Sequence, residues 1–413
     1  AVYGKTVVQK QTDPLYLVQT PPEPVLTQQE LDRVFALPFQ RMYHPSYEKL
    51  GGVKAIEEVE FSIMHNRGCF GNCNFCAIAF HQGRQVSSRS HESVLTEAKA
   101  MVKNPRFKGY IHDVGGPTAD FRFPSCKKQE KLGMCKDRKC LAPSPCPALQ
   151  VDHRDYLQLL REIRAIPGIK KVFVRSGLRF DYIMLDKDPT FLRELVEHHV
   201  SGQLKVAPEH CSRRVLEKMG KPRIETFEAF AKAFYSTTKH LGKEQYLVPY
   251  LMSSHPGSRL EDAVELALFL KRHHMRPEQV QDFYPTPGTA STCMFYTGLD
   301  PFTMEPVYVP KTQEEKHLQR ALLQYYRPDL RRSVIQALIK AHRRDLIGYD
   351  KDCLVPPDRE YLQQYGKPAP RGSGGRSGTK PGRHNGTGRH PQGSRGTRSD
   401  KNRTPSGGRR KRS

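Results

Sequence analysis

No stretch of the 413-residue chain is apolar for long enough to cross a bilayer. The start lacks the charged, apolar and small-residue succession of a secretory signal. Its first residue is Ala1 rather than Met, so a fragment of a longer protein is expected. No Gly-rich phosphate loop, Ser–His–Asp order or internal repeat is present, which removes support for phosphate-loop enzymes, triad hydrolases and solenoids. The ten cysteines do not form a secreted framework but cluster at metal-like spacings. That argues for a reducing cytoplasm, where thiols ligate metal rather than pair.

The last part of the chain lacks both acids and apolar residues. From Lys367 to Ser413 there are 14 Lys or Arg and a single acid, Asp400. This segment carries +13 of the formal +24, leaving +11 for the first 366 residues. With nothing to nucleate a core beyond Ala369, a disordered basic tail is expected over 366–413. Its Arg-Gly-Ser composition suits sequence-independent RNA binding through phosphates, or a purely solubilising role.

The middle of the chain alternates between short β-rich runs and longer helical patterns. "EVEFSIMH" (58–65) reads as a first strand, with Val59, Phe61 and Ile63 on one face and Glu58, Glu60 and Ser62 on the other. A helix follows, with Ser90 at its N-cap and Val94, Leu95 and Ala98 on one face. "GYIHDV" reads as a second strand, ending in Gly115-Gly116-Pro117. Further strands are expected at 170–177, 203–210, 245–252 and 278–285. Between them lie helices at 156–166, in "FLRELVEHHV", in "SRRVLEKMG" closed by Gly220, at about 226–240 and at 260–274. Six strand–helix steps with polar punctuation after nearly every strand favour an α/β fold, a partial (β/α)6 TIM-type barrel, over a doubly wound sheet. After Gly288 the pattern stops, and two amphipathic helices form a C-terminal helical extension.

The first strand runs into "HNRGCFGNCNFCAIAF" (65–80), where Cys69, Cys73 and Cys76 stand in a C-x3-C-x2-C spacing with Phe75 before the last. What this loop lacks is a fourth cysteine: the next is Cys126, fifty positions beyond Cys76. A structural zinc site closes its tetrahedron with four protein ligands, and ferredoxins supply four nearby thiolates. His81 offers a fourth ligand, but the intervening Ile78 and Phe80 read as packed residues rather than a knuckle. Three thiolates on a [4Fe–4S] cube leave one iron open to a substrate or cofactor.

This spacing, with the aromatic before the third cysteine and the loop placed after the first strand of a βα series, resembles the radical S-adenosylmethionine (radical SAM) signature. The resemblance implies that the open iron chelates S-adenosylmethionine and that one electron cleaves the sulfonium to a 5′-deoxyadenosyl radical. It implies cofactor contacts at Phe75, at the backbone of Gly115 and Gly116, and at Arg175, Ser176 and Glu209, which end the third and fourth strands. Pro117 replaces the usual acid after the two glycines. It also implies an electron donor such as a flavodoxin or ferredoxin. The strand ends "EHCSRRVLEKMGKP", "LMSSHPGS" and "FYPTPGTAS" are similar to those of radical methylthiotransferases. From about Pro14 to Leu354 the chain is more broadly similar to the YgiQ-like radical SAM proteins, through its "SGLRFDY" and proline-cysteine segments. In that family a further region precedes this one.

Four more cysteines, Cys126, Cys135, Cys140 and Cys146, lie in a Lys-rich, proline-punctuated insertion with few apolar neighbours. Free thiols there have no core to join, so a second metal centre is expected, either zinc or an iron–sulfur cluster. Cys211, Cys293 and Cys353 are isolated and read as ordinary thiols, with Cys211 also near a strand end. The expected organisation is a connector over 1–54, a radical SAM core over 55–290, a helical extension over 291–365, and the tail. Two rival functions stay open: a radical RNA-modifying enzyme, and a zinc-stabilised RNA-binding protein without radical chemistry.

Overall fold

The computed structural model of the chain describes residues 5–21 and 23–368; the basic tail expected from composition lies, from residue 369 onward, outside the described residues. Its core is a series of short parallel strands, paired in separate ladders. Ser62–Met64 runs parallel to Asp113–Gly115, with Ser62 opposite Asp113 and Met64 opposite Gly115. Tyr110–Ile111 pairs parallel with Lys171–Val172. Gln203–Glu209 pairs with Tyr246–Ser253, which in turn pairs with Gln281–Asp282. Among the described residues no ladder joins Lys171–Val172 to Gln203–Glu209; Val174 N donates at 3.0 Å to His199 O, at the end of the helical segment that precedes the fourth strand. The result is a mixed α/β fold whose barrel does not close.

Helices cover this series because their apolar residues recur at helical spacing. Val94, Ala98 and Met101 of His91–Val102 are buried, as are Tyr156, Leu159, Leu160 and Ile163 of Arg154–Arg164. Phe227, Phe230 and Phe234 form the stripe of Ile224–His240. All of them join Ile63, Ile111, Val114, Val172, Val174, Leu204 and Val206 in one core. The Ser90 hydroxyl accepts from Ser93 N at 3.1 Å, the expected N-cap. Gly220 ends Arg213–Met219 in the left-handed region at φ 66°.

Several strands are shorter than the alternation predicts. The run 58–65 does not start as a strand: Ile56–Val59 is a short helix, Val59 is exposed, and the ladder begins at Ser62. Glu57 and Glu58 sit in the first helical turn, where the backbone dipole favours acids. In 170–177 only Lys171–Val172 forms a ladder, and Phe173 continues it with single bonds to Ile111 and Val114. The expected N-terminal connector contains an antiparallel hairpin, Val7–Thr12 with Leu15–Gln19, and a helix Gln28–Phe35 capped reciprocally by Thr27 and Glu30. The two expected late helices, Gln313–Leu323 and Arg331–Lys340, pack on Leu260–Arg272 through Val264, Ala267, Leu318, Leu322, Val334 and Leu338. No helix among the described residues is long and apolar enough to cross a membrane.

Candidate metal centre

The three-cysteine loop leaves the end of the first parallel strand and is pinned at once. His65 N donates to Gly115 O at 2.9 Å, and its ring Nε2 lies 2.9 Å from Ala119 O. Burial, then the nearby Arg122 guanidinium, holds the His65 imidazole well below its usual pKa, so it is neutral. Cys69 N donates to Gly83 O at 3.0 Å, and Asn74 closes the far side by donating to the Met219 and Lys218 carbonyls, both at 2.8 Å. Those carbonyls end Arg213–Met219 and have no partner inside the helix, so the loop caps it. Phe75 packs beside Val215, Leu216, Met219, Met252 and Phe283, and meets the His255 ring edge-on at 6.1 Å.

Around the sulfurs the donors converge. Cys69 Sγ lies 3.2 Å from Thr118 Oγ1, and Arg179 Nη1 donates to Cys73 Sγ at 3.2 Å. Arg179 is itself held by a fork onto Asp181, at 2.8 and 2.6 Å. Burial pushes the Cys69 thiol up and the Cys76 thiol up to about 11, with the other cysteines' charge adding to the effect. Each therefore needs a metal or a cation to become a thiolate. Arg179 acts on Cys69, and Lys221 acts on Cys76. Lys221 Nζ also stands 4.0 Å from the Glu209 carboxylate. Glu209 is buried at the end of its strand with φ 68°, and burial raises its pKa against the pull of Lys221 and Arg179.

The glycine turn forms a second wall. A Cβ at Gly116 would stand 1.7 Å from Asn66 Oδ1, and one at Gly115 would stand 2.1 Å from Ser176 Oγ. Ser176 Oγ donates to the Asp113 carboxylate, whose other oxygen accepts from Arg175 N at 2.7 Å and Ser176 N at 3.1 Å. Asn66 Nδ2 donates to the carbonyls of Thr118, at 2.9 Å, and Phe121. This leaves Oδ1 buried and without a hydrogen-bond partner. An unfilled acceptor beside two glycines is a fitting place for an ammonium group.

Of the predicted residues, then, the structure draws Cys69, Cys73, Cys76 and Glu209 around Arg179 and Lys221, and sets Gly115, Gly116 and Ser176 together on the Asp113 turn. Arg175 does not join them by its side chain, which is half exposed and pairs with Glu58 at 3.3 Å. Phe80 is exposed rather than packed, and Ile78 is half-buried, because Ile78–His81 is a single turn with too little surface to bury both. His81 is exposed too. Cys211 is buried in the main core. Sequence reasoning missed Asn66, Thr118, Arg179 and Lys221; Arg179 was signalled only as part of "SGLRFDY". Among the described residues no three His, Cys, Asp or Glu side chains are drawn in around a single ion. A cube, being wider than one ion, needs its three sulfurs further apart than that.

The chain matches the family described as "Radical SAM superfamily" over residues 63–270, "Radical SAM N-terminal" over 1–62 and "Domain of unknown function (DUF3362)" over 278–412. It is 60% identical over 354 residues to a UPF0313 protein of Clostridium perfringens, covering 86% of this chain and 53% of that protein. It is 58% identical over 356 residues to a UPF0313 protein of Clostridium botulinum, covering 86% and 55%. Among solved structures it is similar to the cobalamin-dependent S-adenosylmethionine radical enzyme OxsB, with a TM-score of 0.47 and 11% identity over 82% of this chain and 51% of that one. A second, the radical S-adenosylmethionine methyltransferase TsrM from Kitasatospora setae, gives a TM-score of 0.35 and 16% identity over 57% and 39%. The chain belongs to the radical SAM superfamily, and within it to the UPF0313 proteins of YgiQ type. The family's cofactors are a [4Fe–4S] cluster and S-adenosylmethionine. The chain spans about half the length of the curated relatives it matches.

Proposed function

We propose that Cys69, Cys73 and Cys76 hold a [4Fe–4S] cluster with one open iron, and that the protein is a radical SAM enzyme working in a reducing cytoplasm. When bound, the cluster and S-adenosylmethionine supply one-electron cleavage of the sulfonium to methionine and a 5′-deoxyadenosyl radical. The observation that carries this reading is the convergence on the cysteine loop of a cation-lined thiol group and one unfilled hydrogen-bond acceptor, Asn66 Oδ1. Arg179 steadies the negative charge of the thiolates, and Lys221 does the same from the Cys76 side. Asn66 Oδ1 and the backbone at Gly115 and Gly116 would take the ammonium of S-adenosylmethionine, with Ser176 and Glu209 lining the strand ends nearby. Arg175 reaches the site through its backbone, via Asp113. Phe75 closes the loop against apolar neighbours and limits water there.

The architecture we propose for this core is a partial (β/α)6 barrel. It is supported by parallel pairing of successive strands with helices between them. A flavodoxin- or ferredoxin-type donor would supply the electron. RNA is proposed as a partner of the basic tail only, through phosphate charge. The test is anaerobic reconstitution with iron and sulfide, followed by dithionite and S-adenosylmethionine. Formation of 5′-deoxyadenosine by the wild-type protein, and its loss together with cluster iron in the Cys69→Ala/Cys73→Ala/Cys76→Ala variant, is the expected result. A variant that still loads a cluster able to bind S-adenosylmethionine would refute the assignment.

A further inference from the structure

The insertion between the glycine turn and Arg154–Arg164 is a strap laid against the cysteine loop. Lys139, in its middle, donates to Asn72 O at 2.7 Å and to the Asn74 side chain, so it grips the loop between Cys69 and Cys76. Little apolar sequence holds the strap itself: Leu141 is buried, while Met134, Cys140 and Leu149 only flank the small cluster of Phe70, Val86, Phe121 and Tyr182. Yet all four of its cysteines, Cys126, Cys135, Cys140 and Cys146, line one cavity.

That cavity is about 20 Å³. A single water-sized occupant needs about 10–15 Å³, so the space matches one small ion, with the four sulfurs not yet gathered to ligating distance. The wall carries Arg138 and Lys139, and Arg84 stands near Cys140 and Cys135. Arg84 donates through Nη1 to Cys135 O at 3.3 Å, and its Nε is buried without a partner. Backbone turns bring the cysteines to the same place: Gln129 N donates to Cys126 O at 2.9 Å, and Cys146 N donates to Cys140 O at 2.9 Å. Cys140 Sγ turns to Ser125 Oγ at 3.2 Å within the same cavity.

We propose that Cys126, Cys135, Cys140 and Cys146 bind one zinc ion as four thiolates, and that this ion holds the strap whose Lys139 secures the three-cysteine loop. On binding, the thiols pass their protons to solvent, and Arg84 offsets part of the net negative charge of the Zn–thiolate group. The ion draws the sulfurs in from the cavity wall to tetrahedral distance, replacing the burial energy that the strap's composition does not supply. No electron is exchanged, so the centre is independent of the chemistry proposed for the first site.

The test is elemental analysis of the full chain carrying Cys69→Ser, Cys73→Ser and Cys76→Ser, which removes the first site from the measurement. The expected result is one zinc per chain, lost on further substitution of the four strap cysteines by serine. Because that variant can fail to fold, a second measurement uses the otherwise unaltered protein refilled with Co²⁺. Intense tetrahedral cobalt–thiolate bands, erased by one equivalent of Zn²⁺ and weakened by Cys140→Ser alone, support the assignment. Iron with sulfide in place of zinc overturns it. So does a metal-free triple variant whose four strap thiols all react with iodoacetamide.

Discussion

Gly116→Ala isolates one of the two close contacts that make up the glycine wall. The new methyl would stand 1.7 Å from Asn66 Oδ1, far inside van der Waals contact, and at a tight 3.2 Å from the Asn66 carbonyl. Gly116 is not among the positive-φ glycines, so backbone strain adds nothing and the effect is steric. Asn66 clears the space only by swinging its amide, which breaks the bonds from Nδ2 to the Thr118 and Phe121 carbonyls. Each such bond contributes about 1 kcal/mol net, and a buried group left unpaired costs about 1–3 kcal/mol. The expected loss is therefore about 2–4 kcal/mol. Gly177→Ala is the control, because a Cβ there meets nothing within 4 Å; a change within about 0.5 kcal/mol is expected. In Asn66→Ala/Gly116→Ala the obstacle is gone, so the double variant should be about as stable as Asn66→Ala alone. Urea unfolding followed by circular dichroism, under anaerobic conditions, reads all four proteins. Equilibrium dialysis with S-adenosylmethionine should show lost binding for Gly116→Ala and retained binding for Gly177→Ala. Wild-type stability in Gly116→Ala, or simple additivity in the double variant, would refute the reasoning.

Arg179→Met leaves the buried Asp181 carboxylate without its cation and should cost about 3–5 kcal/mol, much of it recovered in Arg179→Met/Asp181→Asn; no recovery in a thermal melt would mean the fork is not the source. His153 is enclosed by Asp186, 2.6 Å from its Nδ1, and Asp120, 3.6 Å from its Nε2. Burial opposes its charge, but the two carboxylates outweigh burial and raise its pKa above the usual value. The stabilisation is then complete below about pH 6.5, the unfolded value, and fades as pH rises through the higher folded value. The stability gap between wild type and His153→Gln should narrow from pH 6.5 upward, and a gap that widens would contradict this. Deleting residues 367–413 should remove most RNA affinity and flatten its salt dependence, as read by filter binding across a salt series, while an unchanged slope would move the site to the folded core.

Part of the candidate site is written locally, and that part was legible. The C-x3-C-x2-C spacing needs no folding to be seen, and the Ser90 cap and Gly220 stop are read from neighbours within one turn. The helical stripes were equally plain, because Phe227, Phe230 and Phe234 share a face whatever they pack against. Strand extents were less so. A ladder exists only where a partner strand offers free backbone groups, which is why 58–59 end a short helix and 60–61 form a turn although these residues alternate.

By itself, then, the chain determined its radical SAM signature, its alternation of strands and helices, and the presence of a second group of four cysteines. Local chemistry and periodicity carry each of these, and neither depends on distant residues. Tertiary structure decided which side chains meet the cysteines. Arg179 stands 106 positions from Cys73, and Asn74 caps a helix end 144 positions away; such partners are chosen by how the strand ends converge, not by spacing. It also decided that Arg175 turns to Glu58 while Arg179 turns to sulfur, though both follow the same strand. The physical reason is burial. Inside the loop a guanidinium is kept only where a fork onto Asp181 and a thiol offset its desolvation, and at the exposed strand end no such requirement selects a partner.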